Sequence, residues 1–322
     1  MNVLVTGGAG YVGSVVTRHL LEVGHAVRVL DNLSFGGRSL LGVWSHPRFR
    51  FVKGDLRDPE AVGAALAGVE AVVHLAAIVG DPACARQPEL AREVNLEASL
   101  ALFDAARRRG VAYFLFASTC SNYGRMADPD GLVNEEAELN PVSLYAETKV
   151  AVEEALMAGA EEGPAPTILR FATVFGVSPR MRFDLTVNEF TKELLTKGRL
   201  AVYGQQFWRP YVHVRDAARA VALALETAPK AQGFRVFNVG DTDQNYRKGD
   251  LVDLIRRELD RPVEIEYVHR QEDPRDYRVS FEKARSELGF SITRTVPQGI
   301  REVKEALESG VIEDPDDPKY RN

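Results

Sequence analysis

Apolar and polar positions follow two regular patterns along the first half of the chain. Short apolar runs predict buried strands, and longer amphipathic stretches predict helices between them. The predicted strands are Asn2–Thr6, Ala26–Leu30, Phe49–Val52, Ala71–Leu75, Tyr113–Ala117 and Thr167–Arg170. The predicted helices are Tyr11–Val23, Pro59–Ala67, Pro88–Arg109 and Val142–Ala158. This alternation is typical of an α/β protein with a parallel sheet.

The pattern becomes less regular after Gly176. The predicted helices are Phe183–Lys197, Lys248–Leu259, Glu282–Leu288 and one that follows Val214, and the predicted strands are Leu200–Tyr203, Tyr211–Val214, Val236–Val239 and Val263–Val268. We predict a first domain over 1–175 with returns to it near 211–240, and a smaller interleaved α/β domain over 176–210 and 241–312. The acidic residues 313–322 are predicted to form a frayed tail.

Composition and charge narrow the class of protein. The 322 residues, 45% hydrophobic and 27% charged, suffice for a large domain and a smaller one. The net charge of −6 argues against a nucleic-acid partner, and the run Arg107–Arg109 before Gly110 is typical of a helix end. Cys84 and Cys120 provide neither a disulfide framework nor metal-ligand spacing, which favours a cytoplasmic setting without a metal. With no bilayer-length apolar run and no leader pattern, we expect no membrane association.

A glycine-rich turn lies between the first predicted strand and the first predicted helix. Gly7, Gly10 and Gly13 of this turn permit close approach of a pyrophosphate to the positive end of the helix. Asp31 ends the second strand about 20 residues further on, where a carboxylate bonds an adenosine ribose. Such a carboxylate would repel the additional phosphate of NADP, so the pattern predicts an NAD site.

Three further segments resemble the extended short-chain dehydrogenase/reductase family, the NAD-dependent sugar epimerases and dehydratases. They are Gly54-Asp55-Leu56, His74-Leu75-Ala76-Ala77 and Asn95. The resemblance covers Val3 to about Phe290 and implies a Rossmann-type doubly wound parallel sheet with a smaller interleaved α/β substrate domain, NAD as cofactor and a nucleotide-diphosphate sugar as partner. The cofactor-binding residues expected from the glycine turn and the resemblance together are Gly7, Gly10, Tyr11, Val12, Gly13, Asp31, Asn32, Asp55, Leu56, Leu75, Ala76, Ala77, Asn95, Ser118, Tyr145, Lys149 and Phe171.

A catalytic base is predicted in the sequence Tyr145-Ala-Glu-Thr-Lys149. Its phenol and ammonium groups are four residues apart and therefore share one helix face. A free tyrosine has a pKa of about 10 and is a poor base at neutral pH. Lys149 and the positive nicotinamide ring both favour the phenolate, so we expect them to lower the pKa of Tyr145.

Hydroxyl groups are concentrated in the segment Phe116–Gly124, which closes the fifth predicted strand at the sheet edge where ligands bind. By the resemblance, Thr119 completes the catalytic set and Ser121 contacts the substrate. Cys120 is offset from the acid–base cysteine of some family members and is predicted to be a buried structural thiol. Cys120 and Ser121 also replace the acidic pair of the family's 4,6-dehydratases, which argues against dehydratase activity.

Arginines in the second half resemble the family's diphosphate-binding positions. Arg209 lies in Phe207–Asp216 and Arg275 in Pro274–Tyr277. A guanidinium suits phosphate because its planar fork donates two parallel hydrogen bonds. The substrate contacts implied by the resemblance are Ser121, Thr173, Arg180, Asn188, Arg209 and Arg275. Thr173 stands where many of the family's epimerases have asparagine.

The reaction implied by the resemblance begins when Tyr145 removes a proton from a sugar hydroxyl, at C4, while NAD accepts the hydride. A transient 4-keto sugar that takes the hydride back makes the chain an epimerase, like UDP-glucose 4-epimerases, whereas release of the ketone makes it a 4-dehydrogenase. The loops Ala76–Cys84 and Gly176–Asp184 resemble a bacterial subgroup that includes GDP-heptose 4-dehydrogenases.

Two alternatives to this reaction stay open on the sequence. The first is an NAD-binding sensor or scaffold, since a fold alone does not establish chemistry. The second is an NADP-dependent reductase of small carbonyl compounds, which Asp31 and the paired arginines disfavour. The resemblance also implies a homodimer, formed through the helices predicted at Pro88–Arg109 and Val142–Ala158.

Overall fold

The centre of the fold is a seven-stranded sheet in which every neighbouring pair is parallel. The computed structural model describes residues 1–126, 128, 131–161, 163–230, 233–269 and 275–322. In spatial order the strands are β10 (Arg235–Val239), β6 (Ala165–Phe171), β5 (Tyr113–Thr119), β4 (Ala71–His74), β1 (Asn2–Thr6), β2 (Ala26–Asp31) and β3 (Phe49–Lys53). The order switches between β1 and β4, and such a point opens a crevice at the carboxyl ends of both strands.

Helices cover both faces of this sheet. In chain order the α-helices are α1 (Tyr11–Glu22), α2 (Pro59–Ala65), α3 (Asp81–Arg86), α4 (Pro88–Arg92), α5 (Ala98–Arg108), α6 (Leu144–Ala158), α7 (Thr186–Lys197), α8 (Val214–Thr227), α9 (Lys248–Leu259), α10 (Glu282–Leu288) and α11 (Val296–Glu308), of which α7, α9 and α11 pack away from this sheet. Val3 and Val5 pack into one core with α1 and α8, whereas Leu4 packs into another with α2, α5 and α6, because successive strand residues face opposite sides. The predicted doubly wound sheet is confirmed. Within the described ranges, no helix is long and apolar enough to cross a membrane.

Two smaller sheets lie outside the central one. The first contains β11 (Asn245–Arg247), β9 (Trp208–His213) and β7 (Thr173–Phe175), and the second pairs β12 (Glu264–Val268) with β8 (Arg199–Tyr203). A third core joins α7, α9 and α11 through residues such as Val187, Leu251 and Ile300. The smaller α/β part is therefore interleaved with the central sheet, to which β10 belongs.

The helix predicted at Pro88–Arg109 contains a π-helical turn over Glu93–Glu97, which separates α4 from α5. Among the α-helices and strands given above, four were missing from the prediction: β7, β11, α3 and α11. The two strands have three residues each, too few for a periodic pattern. The start of α11 did carry a signal, because Thr295 and Gln298 form a capping box.

The prediction of a frayed tail at 313–322 is wrong. The Phe183 backbone N–H donates to the Tyr320 carbonyl oxygen, and the two rings meet edge to face with centroids 5.6 Å apart. Lys192, fully buried on α7, places its Nζ 2.5 Å from Asp316 Oδ1. The C-terminal residues thus hold the segment that precedes α7.

Candidate dinucleotide and active site

The glycine turn after β1 is shaped by close backbone contacts. Gly7 has φ +70°, and a Cβ there would lie 2.8 Å from the backbone of Ala76, just after β4. A Cβ at Gly13 would clash with the Gly7 carbonyl oxygen. Glycine at both positions therefore lets α1 begin directly beside the carboxyl ends of β1 and β4.

The N-terminus of α1 presents donors to the crevice. The first helical bond runs from Ser14 N–H to the Gly10 carbonyl oxygen, which leaves the preceding helical N–H groups pointing out of the helix. Asp31 stabilises the turn by two backbone hydrogen bonds. Its Oδ2 accepts the Ala9 N–H at 2.9 Å, and its Oδ1 accepts the Leu33 N–H at 2.8 Å. Burial raises the pKa of Asp31, and these two backbone bonds oppose the shift.

A cavity of about 490 Å³ opens at this crevice. The predicted cofactor residues that line it are Gly7, Gly10, Tyr11, Val12, Gly13, Asp31, Asn32, Asp55, Leu56, Leu75, Ala76 and Ala77. One wall carries an ion cluster, in which Arg57 bonds Asp55 and Glu93. Hydrogen bonds from Arg57 hold the pKa of Asp55 well below its usual range. A cavity with donors at one end and a carboxylate at the other fits an adenosine pyrophosphate.

Five predicted cofactor residues are absent from this lining: Asn95, Ser118 and Phe171, which are buried, and Tyr145 and Lys149 of α6. Asn95 accepts the Ile78 N–H at 2.8 Å and donates to the Ile78 carbonyl oxygen at 2.9 Å, so it fixes the strand end that borders the cavity. Ser118 bonds Glu153, and Phe171 packs in the core at the end of β6. Their positions indicate that Asn95, Ser118 and Phe171 support the walls of the site and do not contact the cofactor directly.

The histidine of the predicted His74-Leu75-Ala76-Ala77 segment is also a supporting residue. Its Nδ1 lies 2.7 Å from Thr6 Oγ1 and its Nε2 lies 2.8 Å from Ser99 Oγ. Burial, with the nearby charge of Lys149, lowers the pKa of His74 to about 3. A neutral imidazole therefore ties β4 to β1 and to α5.

The predicted catalytic pair lies on the first two turns of α6. Ser143 caps this helix by accepting the Ala146 N–H, so Tyr145 is within the first turn, where the helix dipole favours an anion. Lys149 is buried; its Nζ donates to the Ala117 carbonyl oxygen at 2.8 Å and lies 5.9 Å from the Tyr145 ring centroid. The helix starts two residues later than predicted because Ser143 is its cap.

The expected lowering of the pKa of Tyr145 by Lys149 is not seen. Burial raises this pKa, Cys84 and Asp81 add to the rise, and Arg182 opposes it. The ammonium of Lys149 bonds a carbonyl on β5, and burial lowers the pKa of Lys149 itself to about 8. The phenol is therefore a protonated donor until another positive charge reaches it.

The hydroxyl residues that end β5 have different surroundings. Thr119 Oγ1 accepts the Ser121 N–H at 3.1 Å, which leaves its hydroxyl hydrogen for a second bond. Ser121 Oγ lies 3.2 Å from the Tyr277 hydroxyl, a group that the sequence reasoning did not single out. Cys120 is buried and donates to the Arg170 carbonyl oxygen at 3.2 Å. Burial raises the pKa of Cys120. The predicted burial of this thiol is confirmed, and its structural role stays a prediction.

An unpredicted carboxylate joins the active-site loops. Asp81, at the start of α3, accepts the Ser143 hydroxyl at 2.8 Å and pairs with Arg275 Nη1 at 2.7 Å. Arg275 is thus joined through Asp81 to the start of α6, and its contact with the substrate stays a prediction. Pro274 of the same predicted segment lies outside the described residues. The sequence feature that points to Asp81 is its position directly after Gly80, where a carboxylate is favoured at the start of a helix.

The remaining predicted substrate residues are divided between two regions. Arg209 is buried on β9, with its guanidinium carbon 5.4 Å from the Tyr277 ring centroid, and Thr173 is half-buried on β7. Asn188 is fully buried and bonds Gly176, Arg182 and Tyr11, so it holds the loop before α7. Arg180 lines the dinucleotide cavity, which is not the location expected for a sugar contact.

Comparison with known proteins decides the family. The NAD dependent epimerase/dehydratase family matches residues 3–240. The chain belongs to this family. UDP-glucose 4-epimerase from Corynebacterium glutamicum is 33% identical to this chain over 313 residues, and the alignment covers 92% of each protein. dTDP-glucose 4,6-dehydratase from Streptomyces griseus is 31% identical over 309 residues, and that alignment covers 93% of this chain and 92% of the relative. The structure of UDP-glucose 4-epimerase from Thermotoga maritima with UDP-glucose has a TM-score of 0.84 and 29% identity, covering 97% of this chain and all of that one.

Membership of the NAD-dependent epimerase/dehydratase family confirms the resemblance to the extended short-chain dehydrogenase/reductase enzymes, and NAD is the cofactor. The residues of the cavity fit this dinucleotide: the glycine turn can receive its pyrophosphate, and Asp31 can receive its ribose hydroxyls. Tyr145 does not line the cavity, but α6 is joined to its wall, since its cap Ser143 donates to Asp81 of α3 and Ala83 of α3 is in the lining.

Proposed function

We propose that the chain is a nucleotide-sugar 4-epimerase acting on a UDP-hexose. The observation that carries this proposal is the position of Tyr145 at the start of α6, with Lys149 one turn later and Asp81 and Arg275 across the loop. A phenol with an anion-stabilising helix end and a neighbouring arginine suits proton transfer to and from a sugar diphosphate. The similarity to UDP-glucose 4-epimerases supports the same base and sugar class.

In the proposed reaction, Tyr145 Oη accepts the proton of the C4 hydroxyl while Thr119 donates a hydrogen bond to the same oxygen. NAD, when bound, supplies the hydride acceptor. Loss of one proton and one hydride converts the C4–OH group to a ketone. Return of the hydride to the opposite face of C4, and of the proton from Tyr145 to the ketone oxygen, gives the 4-epimer with no net redox change. Lys149 stabilises the phenolate, and Arg209 and Arg275 hold the diphosphate.

The residues that follow Thr119 argue against a dehydratase, in which the 4-keto sugar would lose water. Elimination of water needs an acid and a base beside the sugar, and the acidic pair expected after Thr119 is replaced by Cys120 and Ser121. Cys120 is buried against Arg170, and Ser121 is bonded to Tyr277. Neither group is a carboxyl acid.

Incubation of the protein and NAD with UDP-, GDP-, CDP- and dTDP-sugars tests the proposal. Product analysis by mass and NMR should find an isomer of a UDP-hexose with no net NADH. Stoichiometric NADH with a 4-keto product would replace the epimerase by a 4-dehydrogenase, and a GDP-heptose belongs in the panel for that reason. Absence of turnover with every sugar would favour an NAD-binding scaffold.

We also propose that the chain forms a homodimer through α5 and α6. Leu96, Leu100 and Met157 are partly exposed apolar residues on or beside these helices. Sedimentation analysis should give twice the chain mass, and Leu100→Glu should shift the protein towards monomer. A monomer at all concentrations in the unmodified protein would exclude this interface.

A further inference from the structure

The loop Gly176–Asp184 contributes two arginines to the wall of the dinucleotide cavity. Arg180 and Arg182 both line the cavity, although the loop precedes α7 in the smaller α/β part. Tyr11, the first residue of α1, holds this loop in place, since its hydroxyl donates to the Gly176 carbonyl oxygen at 2.7 Å. The loop is therefore attached to the first turn of α1, where the pyrophosphate is expected.

Arg182 is neutralised within the protein, whereas Arg180 is not. Arg182 donates to both carboxylate oxygens of Asp184 at 2.9 and 2.8 Å. In the described part of the chain, no carboxylate pairs with Arg180 within 4.0 Å. Its guanidinium carbon is 4.0 Å from the Phe35 ring centroid, and Nη2 donates to the Arg321 carbonyl oxygen at 3.0 Å.

The Arg180 side chain is positioned to receive an anion. It is only 7% exposed, and its Nε has no hydrogen-bond partner among the described residues. Burial, together with Arg182, lowers the pKa of Arg180 to about 10, so the group is still charged at neutral pH. A buried cation with an unused donor is costly unless a ligand completes its bonds.

We propose that Arg180 binds the pyrophosphate of NAD and is a second anion-binding group beside the N-terminus of α1. The pyrophosphate is the anionic part of the dinucleotide, and a guanidinium donates to phosphate oxygens with charge-assisted bonds. The stacking on Phe35 and the bond to Arg321 fix the guanidinium before the cofactor arrives. Arg180 is thus assigned as a contact of the cofactor, whereas the sequence predicted it to contact the sugar nucleotide.

Calorimetric titration of NAD, ADP and adenosine into the protein and its Arg180→Gln variant tests the assignment. We expect the affinity for NAD and ADP to fall about 10- to 100-fold, because a charged hydrogen bond is lost. Adenosine, which lacks phosphate, should bind both proteins equally. Arg180→Lys should recover part of the ADP affinity, and Arg285→Gln on exposed α10 is the matched control, expected to change nothing.

Three results would overturn the proposal. One is unchanged affinity for NAD in Arg180→Gln. Another is an equal loss for ADP and adenosine, which would indicate a packing role through Phe35. The third is weaker binding of UDP with unchanged binding of NAD, which would return Arg180 to the substrate. No turnover is measured, so failure here would leave the epimerase proposal in place, and inactivity with sugars would leave this one in place.

Discussion

Lys149 Nζ lies 5.9 Å from the centroid of the Tyr145 ring, one helical turn away on α6. The two groups share a helix face but do not bond each other, because the ammonium donates to the Ala117 carbonyl oxygen. We therefore expect Lys149 to act on Tyr145 as a nearby charge, and we expect the phenol hydroxyl to meet the substrate.

Replacement of Tyr145 by Phe removes the proton acceptor and keeps the ring. We expect kcat to fall by about 10²- to 10⁴-fold, the usual contribution of a positioned acid–base group. The affinity for NAD, measured by titration, should change less than about twofold, since no charge is removed from the cavity. Tyr203→Phe on β8, an exposed position, is the control. Substantial activity of Tyr145→Phe would reject the catalytic assignment.

Buried Lys149 predicts a pH-dependent stability. Its pKa is about 8 in the folded chain, below the ordinary 10.5, so the unfolded chain binds more protons between these values. The cost of folding with this ammonium buried is complete below pH 8 and is relieved as the pH rises. In chemical denaturation, the advantage of Lys149→Met over the unmodified protein should shrink by roughly 2 kcal/mol between pH 7 and 9.5. A pH-independent difference would contradict this, and Lys53→Met at an exposed end of β3 is the control.

The ion pair between Glu153 and Arg170 joins α6 to β6 beneath the site. Its N–O distance is 2.7 Å, and both side chains are almost completely buried. Glu153→Gln leaves a buried guanidinium without its counter-charge, so we expect a loss of about 3–5 kcal/mol in the free energy of unfolding. Asp104→Asn, in an exposed pair with Arg107, should cost less than about 1 kcal/mol. Equal effects of the two substitutions would show that the buried pair is unimportant.

The features that were predicted correctly from the sequence are those set by residues close together in the chain. The glycine turn, the strand periodicity and Asp31 depend on neighbouring residues, and the structure places them together at the switch point of the sheet. The C-terminal end was mispredicted because an acidic, proline-containing composition does not reveal a partner such as Lys192, 124 residues away. Asp81 was missed for the same reason, since its partner Arg275 is 194 residues distant.

Asp31 should control the choice between NAD and NADP. Asp31→Asn keeps one side-chain acceptor, which can serve either the Ala9 or the Leu33 N–H group but not both, and removes the negative charge. We expect the ratio of NADP to NAD affinity to rise by about tenfold or more, because the carboxylate no longer repels a ribose phosphate. Titration of both cofactors measures the ratio, and a melting curve checks that the turn is intact. An unchanged ratio in a folded variant would remove Asp31 from cofactor selection.

Tyr320 should influence NAD binding from outside the cavity. Its ring meets Phe183 edge to face, and the next residue accepts the Arg180 bond. An aromatic pair is worth about 0.5–1.5 kcal/mol, so Tyr320→Ala should weaken NAD binding about 2- to 10-fold. Tyr267→Ala, which removes an exposed tyrosine ring on β12, should leave the NAD affinity unchanged.

A double variant shows how the effect of Tyr320 is transmitted. If Tyr320 acts by fixing Arg180, then Tyr320→Ala should cause little further loss of NAD affinity once Arg180→Gln is present, because contacting groups are not additive. Full additivity of the two losses would mean that the C-terminal residues stabilise the cofactor site by a route independent of Arg180. The dissociation rate of NAD, followed by fluorescence, gives a second readout, which should rise in each single variant.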